Sequence, residues 1–319
     1  MEIIRCLNDF PTVEGSIVTI GSFDGIHRGH QNLLKKTVAI SHNTKLPSIL
    51  LTFEPHPQLL LRSKNKRPIR LLSTLAEKAL ITERYFNLDY FVALDFNKGF
   101  SELNAASFIK KVLIDALKAK HIIIGYDHRF GKNREGDVTL LQELGKTSGF
   151  DVTIIDALMN ENQPVSSTMI RDHIQGDRLD LANAMLGHSY IIRGNVVKGM
   201  QRGRQLTFPT ANIELDSSQK VVPNRGVYLV KCLWDNQSSF GMCNIGVRPT
   251  FNDQIGEVIE VHLFLDETKT APAYGNGLTI EFLQKLRGEK KFETPEILTE
   301  QLNNDKETCM SLIENYLNN

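Results

Sequence analysis

Along the first half of the chain, short apolar runs alternate with stretches whose apolar residues recur every three or four positions. Residues 17–20 are a continuous apolar run, and a helical pattern through Leu33, Leu34, Val38 and Ala39 follows them. A strand over 48–53, a helix over 74–86, a strand over 90–94, an amphipathic helix over 104–118 and strands over 121–125 and 151–155 continue the alternation. Strands that are apolar throughout are buried on both faces, and the intervening helices supply the cover. The pattern therefore predicts a mostly parallel sheet wrapped by helices. Ligands of such sheets lie beyond the carboxyl ends of the strands. After two short helices, 167–175 and 179–186, the pattern changes at Leu186-Gly187-His188. Apolar runs over 190–197, 226–234, 240–245, 258–265 and 278–286 then follow closely, separated by Gly, Pro, Asn and Asp, with no helical pattern until about Thr294. This predicts a small antiparallel β-barrel closed by a carboxy-terminal helix. Residues 1–186 and 187–319 are the two expected domains.

Composition narrows the class. A length of 319 residues suits two domains, and 41% hydrophobic with 23% charged residues suits two apolar cores under a soluble surface. Thirty-seven basic residues balance 37 acidic ones, so the chain lacks the overall electrostatic footprint of a dedicated nucleic-acid binder. No apolar run approaches the roughly 18–20 residues that span a bilayer. The start, Met1-Glu2-Ile3-Ile4-Arg5 followed by Asn8, Asp9 and Pro11, is not a secretory signal. Cys6, Cys232, Cys243 and Cys309 are too few and too scattered for a disulfide framework or a zinc site. The expectation is a cytoplasmic protein with small-molecule partners and neither nucleic acid nor membrane; homo-oligomerisation stays open.

The candidate chemistry sits where the predicted strands end. Gly21-Ser22-Phe23-Asp24-Gly25-Ile26-His27-Arg28-Gly29-His30 follows the first strand and opens the first helix. Glycines permit a tight turn, and two imidazoles three residues apart share a face with the free N–H groups and dipole of a helix amino terminus. Such a site stabilises charge building on a phosphate under attack, without a covalent nucleophile. A pair of surface or metal-binding histidines is the plainer alternative. In Ser166-Ser167-Thr168-Met169-Ile170-Arg171 a serine suits a helix cap, and Arg171 lies one turn on, within reach of a phosphate. Asp127 follows a buried strand, where a carboxylate binds sugar or ribityl hydroxyls or simply forms a turn. His56 is held between two prolines. Gly125 to Lys132 fails as a P-loop: five residues separate its glycines, and Asn133 stands where Ser or Thr would hold magnesium. No GxGxxG follows a strand.

In the second half, Gly199, Arg202, Gly203 and Arg204 form a glycine- and base-rich loop suited to wrapping a polyphosphate, or equally to an exposed hairpin. Thr210 and Asn212 are neutral oxygen ligands that project to one side of an extended segment, which suits magnesium already carrying ATP phosphates. Across 258–265, Ile259, Val261, Leu263 and Leu265 alternate with Glu260 and His262. A mid-strand glutamate is unfavourable unless exposed or used.

The HxGH signature resembles that of the nucleotidylyltransferase superfamily, and the fuller GSFDGIHRGH resembles the bacterial bifunctional riboflavin kinase/FMN adenylyltransferase family, often called FAD synthetase. TFEPHP at 52–57, GYDHRFG at 125–131, SSTMIR at 166–171, FPTAN at 208–212, the EVHL strand at 260–263 and LRGEKKF at 286–292 resemble further segments of that family, in order. The resemblance implies an HxGH-type α/β domain followed by a kinase barrel. It implies that His27 and His30 are catalytic, with Gly21, Phe23, Asp24, Gly25, Ser166, Ser167, Thr168 and Arg171 at the nucleotide. Phe53, Pro55, His56, Asp127, Arg129 and Phe130 would meet the flavin. In the barrel, Glu260 would be the general base, Gly199, Arg202, Gly203 and Arg204 the phosphate loop, Thr210 and Asn212 the Mg²⁺ ligands, and Arg287 and Phe292 flavin contacts. ATP would be co-substrate, with riboflavin, FMN and FAD as substrates and products. Thr207 replaces the usual glycine before Phe208, and His188-Ser189 replaces an Arg-Pro. An adenylyltransferase whose barrel only binds flavin, and a non-enzymatic flavin-responsive binding protein, remain alternatives at this point.

Overall fold

A computed structural model describes residues 1–61, 69–160, 163–199, 208–249 and 255–318. The chain divides into two compact units, Met1–Ser167 and Thr168–Asn319.

The first unit runs β1 (Glu2–Ile4), β2 (Ser16–Ile20), α1 (Arg28–Thr44), β3 (Ser48–Glu54), α2 (Pro57–Leu61), α3 (Leu75–Tyr85), β4 (Tyr90–Asp95), α4 (Lys98–Ser101), α5 (Ala105–Phe108), β5 (Ala119–Gly125), α6 (Val138–Ser148) and β6 (Asp151–Ile155). A short hairpin of β7 (Met159–Asn160) and β8 (Gln163–Pro164) follows. The six-stranded sheet has the order β1-β4-β3-β2-β5-β6 and is parallel throughout. Ile17, Val18, Ile49, Leu50, Leu51, Ile122, Ile123 and Ile124 are fully buried, as expected of strands with helices on both faces. From β2 the chain winds outward to β3 and β4, whereas β5 and β6 lie on the other side. The topological switch point therefore falls between β2 and β5.

Two elements of this unit depart from the sequence pattern. β1, three residues long with Glu2 at its start, is too short to leave a periodic signal, yet it pairs with β4 through Glu2 and Tyr90. The helix predicted over 104–118 begins on an Asn104 cap as α5 and then widens into a π-helix over Ile109–Ala116. Its buried residues Phe108, Val112, Leu113 and Leu117 recur at steps of four and five, and the wider turn keeps them on one face.

The second unit takes up α7 (Ser167–Gln175) after its first residue, then α8 (Leu179–Leu186), β9 (Tyr190–Val197), β10 (Ala211–Leu215), β11 (Gly226–Trp234), β12 (Gln237–Pro249), β13 (Ile255–Leu263), β14 (Gly277–Arg287) and α9 (Pro295–Asn318). Its six strands close into an antiparallel barrel of order β10-β13-β12-β11-β14-β9. α7 and α8 group with the barrel because their polar groups are tied to it. Asn183 donates to the Phe282 carbonyl at 2.9 Å and accepts from the Tyr190 N–H at 2.8 Å, and Asn224 donates to the Gln175 carbonyl at 2.6 Å. Cys309 and Ile313 of α9 pack with Phe208, Val227, Leu229 and Met242 on the outside of the barrel.

Candidate active sites

The segment between β2 and α1 is strained and clamped. Phe23, Gly25 and Ile26 have φ of 48°, 82° and 41°, and two of the three carry a side chain. Non-glycine residues hold the left-handed region only where their surroundings enforce it, and such strain collects at functional sites. Here the enforcement is visible. Phe23 and Ile26 are fully buried, and Asp24 is 1% exposed. The Asp24 carboxylate accepts the N–H groups of Leu72 and Ser73 at 3.2 and 3.0 Å, and the Ser73 hydroxyl accepts from the Gly25 N–H at 2.7 Å. Asp24 thus acts from behind the turn, holding it against the 71–73 segment.

The clamp fixes two imidazoles at the mouth of α1. His27 caps the helix, its Nδ1 accepting the His30 N–H at 3.4 Å, which places the proton of the neutral His27 ring on Nε2. The two rings stack with centroids 3.7 Å apart and planes at 19°, and Phe23 lies edge-on to His30 at 5.3 Å. Burial, first, and then the nearby His27 and Lys78 hold the His30 imidazole well below its ordinary pKa, so it is neutral at pH 7. His30 Nδ1 is buried without a hydrogen-bond partner. Lys78, on α3 and only 1% exposed, is lowered by burial and raised in turn by Asp24, Glu54 and Glu77. A stacked histidine pair over a helix amino terminus, with the buried Lys78 side chain nearby, is preorganised to receive phosphate negative charge.

Around this point the other expected residues are spread unevenly. Ser167 donates to the Asp24 carbonyl at 3.0 Å, whereas Thr168 and Arg171 belong to the second unit. Phe53, near the end of β3, stands in an aromatic row with Phe96, Phe100 and Phe108 at 5.8, 5.7 and 6.4 Å, and Phe108 meets Phe130 at 5.8 Å. His56, 5% exposed, accepts the Gln58 N–H at 3.2 Å, while Pro55 is exposed. Asp127 and Arg129 are exposed, and Arg129 pairs with Asp137 at 2.8 Å. Gly131 takes φ of 75°, and a Cβ there would lie 2.7 Å from the Ala105 backbone nitrogen, so only glycine lets this loop pack against Ala105.

The second unit places its chemistry on adjacent strands. Asn212 of β10 lies directly opposite Glu260 of β13, and Asn244 of β12 opposes Glu260 from the other side. Cross-strand partners have Cβ atoms about 5 Å apart and point to the same face. Thr210 lies two residues before Asn212, just ahead of β10. A Cβ on Gly199 would lie 2.1 Å from the Asn212 amide nitrogen, so the backbone after β9 passes close over the amide. His262 Nδ1 donates to the Pro209 carbonyl at 2.9 Å, and its ring meets Phe208 at 5.0 Å, anchoring the FPTAN segment to β13. A cleft of about 390 Å³, of a size suited to small-molecule ligands, is lined by Val197, Lys198, Asn212, Ile213, Glu214 and Val258. Arg202, Gly203, Arg204 and Thr207 lie outside the described residues. Arg287 gives its guanidinium to Asp305 of α9 at 2.7 and 3.0 Å and stacks over Phe292 at 5.7 Å.

No group of three or more His, Cys, Asp or Glu side chains among the described residues is placed to hold a metal ion. The Thr210–Asn212 pair is compatible with Mg²⁺ of another kind: neutral oxygen donors that complete the shell of an ion brought in on ATP phosphates, with Glu260 facing them. Sequence reasoning missed Ser73, Lys78 and His262. None sits in a glycine-rich or histidine-paired motif; each earns its place through contacts from distant parts of the chain.

Fold and sites together define a two-unit phosphate-transfer enzyme, with a nucleotidylyltransferase-like α/β unit ahead of a closed barrel. The family model described as FAD synthetase matches residues 10–169, and that described as riboflavin kinase matches residues 186–313. The bifunctional riboflavin kinase/FMN adenylyltransferase of Escherichia coli (strain K12) is 37% identical, covering 97% of this chain and 97% of its own. Its counterpart in Bacillus subtilis (strain 168) is 34% identical, covering 94% and 93%. A crystal structure described as a macrolide-efflux protein from Streptococcus pneumoniae superposes with a TM-score of 0.83 at 29% identity, over 97% of this chain and 98% of that one. The chain belongs to the bifunctional riboflavin kinase/FMN adenylyltransferase family. The efflux name is that other protein's. Among the described residues no helix is long and apolar enough to cross a membrane.

Proposed function

We propose that the barrel phosphorylates riboflavin with ATP to give FMN, and that the α/β unit transfers AMP from a second ATP to FMN, releasing pyrophosphate and FAD. The stacked His27–His30 pair at the start of α1 carries the second assignment. In it, the histidines meet the α-phosphate as the FMN phosphate oxygen attacks, and Ser166, Thr168 and Arg171 hold the remaining phosphates. Gly21, Phe23, Asp24, Gly25 and Ser167 shape the turn that receives the nucleotide. Phe53, Pro55, His56, Asp127, Arg129 and Phe130 border the flavin. On this reading residues 1–186 serve adenylyl transfer even though α8 packs with the barrel, and residues 187–319 serve the kinase.

The facing of Asn212 and Glu260 carries the kinase assignment. Glu260 takes the proton of the ribityl 5′-hydroxyl as it attacks the γ-phosphorus. Thr210 and Asn212 hold Mg²⁺, which neutralises phosphate charge when bound. Gly199, with Arg202, Gly203 and Arg204, wraps the phosphates, and Phe292 meets the isoalloxazine. Arg287 positions Phe292 through its stacking, since its fork is engaged by Asp305. Partners are small molecules rather than nucleic acid or membrane, and the compartment is the cytoplasm.

The two attacks release different products, which makes the test direct. Purified protein with riboflavin and MgATP is expected to liberate ADP and then pyrophosphate, and with FMN and MgATP to liberate pyrophosphate without ADP. ADP alone in both reactions would refute the assignment of the histidine pair to adenylyl transfer.

A further inference from the structure

Among the described residues two buried side-chain nitrogens have no hydrogen-bond partner, His30 Nδ1 and His128 Nε2. An unpaired buried ring nitrogen is costly, and in a native structure each one calls for an explanation. The positions of these two supply it. His30 follows β2 and His128 follows β5, the adjacent parallel strands whose carboxyl ends bound the switch-point crevice. His30 belongs to the phosphate site. His128 stands in the GYDHRFG turn, its N–H bound to the Gly125 carbonyl at 3.1 Å, and none of the roles described so far uses its ring.

Its surroundings select the kind of ligand. The His128 ring stacks on Phe130 at 5.9 Å and 24°, at the end of the aromatic row that runs through Phe108 to Phe53. Burial, opposed by Asp127 and assisted by Arg134, lowers its pKa to about 4, so the ring is neutral under working conditions. A neutral imidazole is a poor partner for phosphate and a good one for the polar edge of a flat, uncharged heterocycle. ATP and FMN both carry such an edge. FMN is favoured because its larger apolar ring system suits the aromatic surroundings of His128, where Phe130 and Phe108 back the ring from the core and Phe53 and Phe100 are half-buried, whereas the α1 amino terminus takes phosphates.

We propose that His128 Nε2 makes the hydrogen bond that recognises the isoalloxazine edge of FMN in the adenylyltransferase site. This rests on the functional reading above and deepens it, by naming a specificity-determining contact in that site.

The test is His128→Phe, which keeps an aromatic ring on Phe130 and removes the nitrogen, beside His128→Gln, which restores a polar group. FMN dissociation constants are read from quenching of flavin fluorescence, and KM values for FMN and ATP from FAD formation. Riboflavin phosphorylation by the barrel checks that each variant is folded. For His128→Phe the KM and dissociation constant for FMN are expected to rise about five- to tenfold, as for loss of one neutral hydrogen bond. The KM for ATP should stay within twofold, and His128→Gln should recover most of the affinity. Unchanged FMN binding in a folded His128→Phe protein overturns the proposal while leaving the adenylyltransferase reading intact. A rise in the KM for ATP alone also overturns it, because the ring then serves adenine. A parallel fall in every parameter overturns it as well, because the ring then only supports the loop. A wild-type protein that neither binds FMN nor makes FAD removes the functional reading itself, and this inference with it.

Discussion

Gly199→Ala isolates the close approach of Gly199 to the barrel's candidate metal ligand. Gly199 is not among the residues with positive φ, so alanine brings no backbone strain, and the effect is steric. The added methyl would lie 2.1 Å from the Asn212 amide nitrogen, 2.4 Å from its carbon and 2.7 Å from its oxygen. Ordinary contact begins near 3.4 Å, so the amide and the loop must separate by more than an ångström. Asn212 is 8% exposed and its backbone is paired on both sides, so it has little room to retreat without leaving the face it shares with Glu260. Displacement of a positioning group by about 1 Å costs on the order of 10²-fold in rate. The expected result is therefore a fall of about 10²-fold in kcat/KM for riboflavin phosphorylation, with FAD formation from FMN unaffected as the internal control. Asn212→Ala should cost a similar factor, and adding Gly199→Ala to it should cost little more, because the clashing partner is gone. Kinase activity of Gly199→Ala within threefold of wild type, or additive losses in the double variant, would refute the reasoning.

Glu260→Gln keeps the shape of the side chain facing Asn212 but removes the base, so kcat for riboflavin phosphorylation should fall about 10²–10⁴-fold while FAD formation from FMN persists; unaltered FMN production would reassign Glu260. Breaking the buried Arg287–Asp305 pair by Asp305→Ala leaves an uncompensated guanidinium between barrel and α9, and should lower unfolding stability by about 3 kcal/mol in urea titrations. Stability should also fall on acidification. The folded-state pKa values of His30 and His128 lie below the unfolded value near 6.5, that of His128 at about 4. The unfolded chain then takes up protons that the folded chain refuses, and each group removes about 1.4 kcal/mol per pH unit between roughly pH 6.5 and its folded pKa. Above pH 6.5 neither contributes a slope. Urea midpoints from pH 7 to 4.5 should show this decline, and His128→Phe should flatten it; a pH-independent midpoint would contradict the burial of these rings.

Much of the architecture is legible in the sequence because it rests on local signals. Strands with continuous apolar stretches, such as Ile122-Ile123-Ile124, require cover on both faces, and the close punctuation after Gly187 requires antiparallel pairing. The motif residues are legible for the same reason: glycines, a helix start and paired histidines lie within ten residues of one another. What is not legible depends on contacts made over long separations. Asp24 reads as a ligand-facing carboxylate, and only the approach of Leu72 and Ser73 reveals it as the clamp behind the turn. Arg287 reads as a flavin contact, and the sequence gives no sign of Asp305, 18 residues on in α9, at its fork. His262 looks like the polar side of an alternating strand, yet it is 8% exposed and holds Pro209. The π-helical turn follows from a buried set stepping by four and five, a spacing close enough to an ordinary helix to pass for one. The grouping of α7 and α8 with the barrel depends on side-chain amides reaching strands up to 99 residues away.

The central claim is that one chain converts riboflavin to FMN and FMN to FAD at separate sites. The most direct measurement is chromatographic separation of flavins after purified protein is incubated with ATP, Mg²⁺ and riboflavin, beside a reaction begun from FMN. The account predicts FMN and then FAD in the first reaction, and FAD in the second. FAD from FMN with nothing formed from riboflavin would reduce the barrel to a binding module, and no conversion in either reaction would contradict the account altogether.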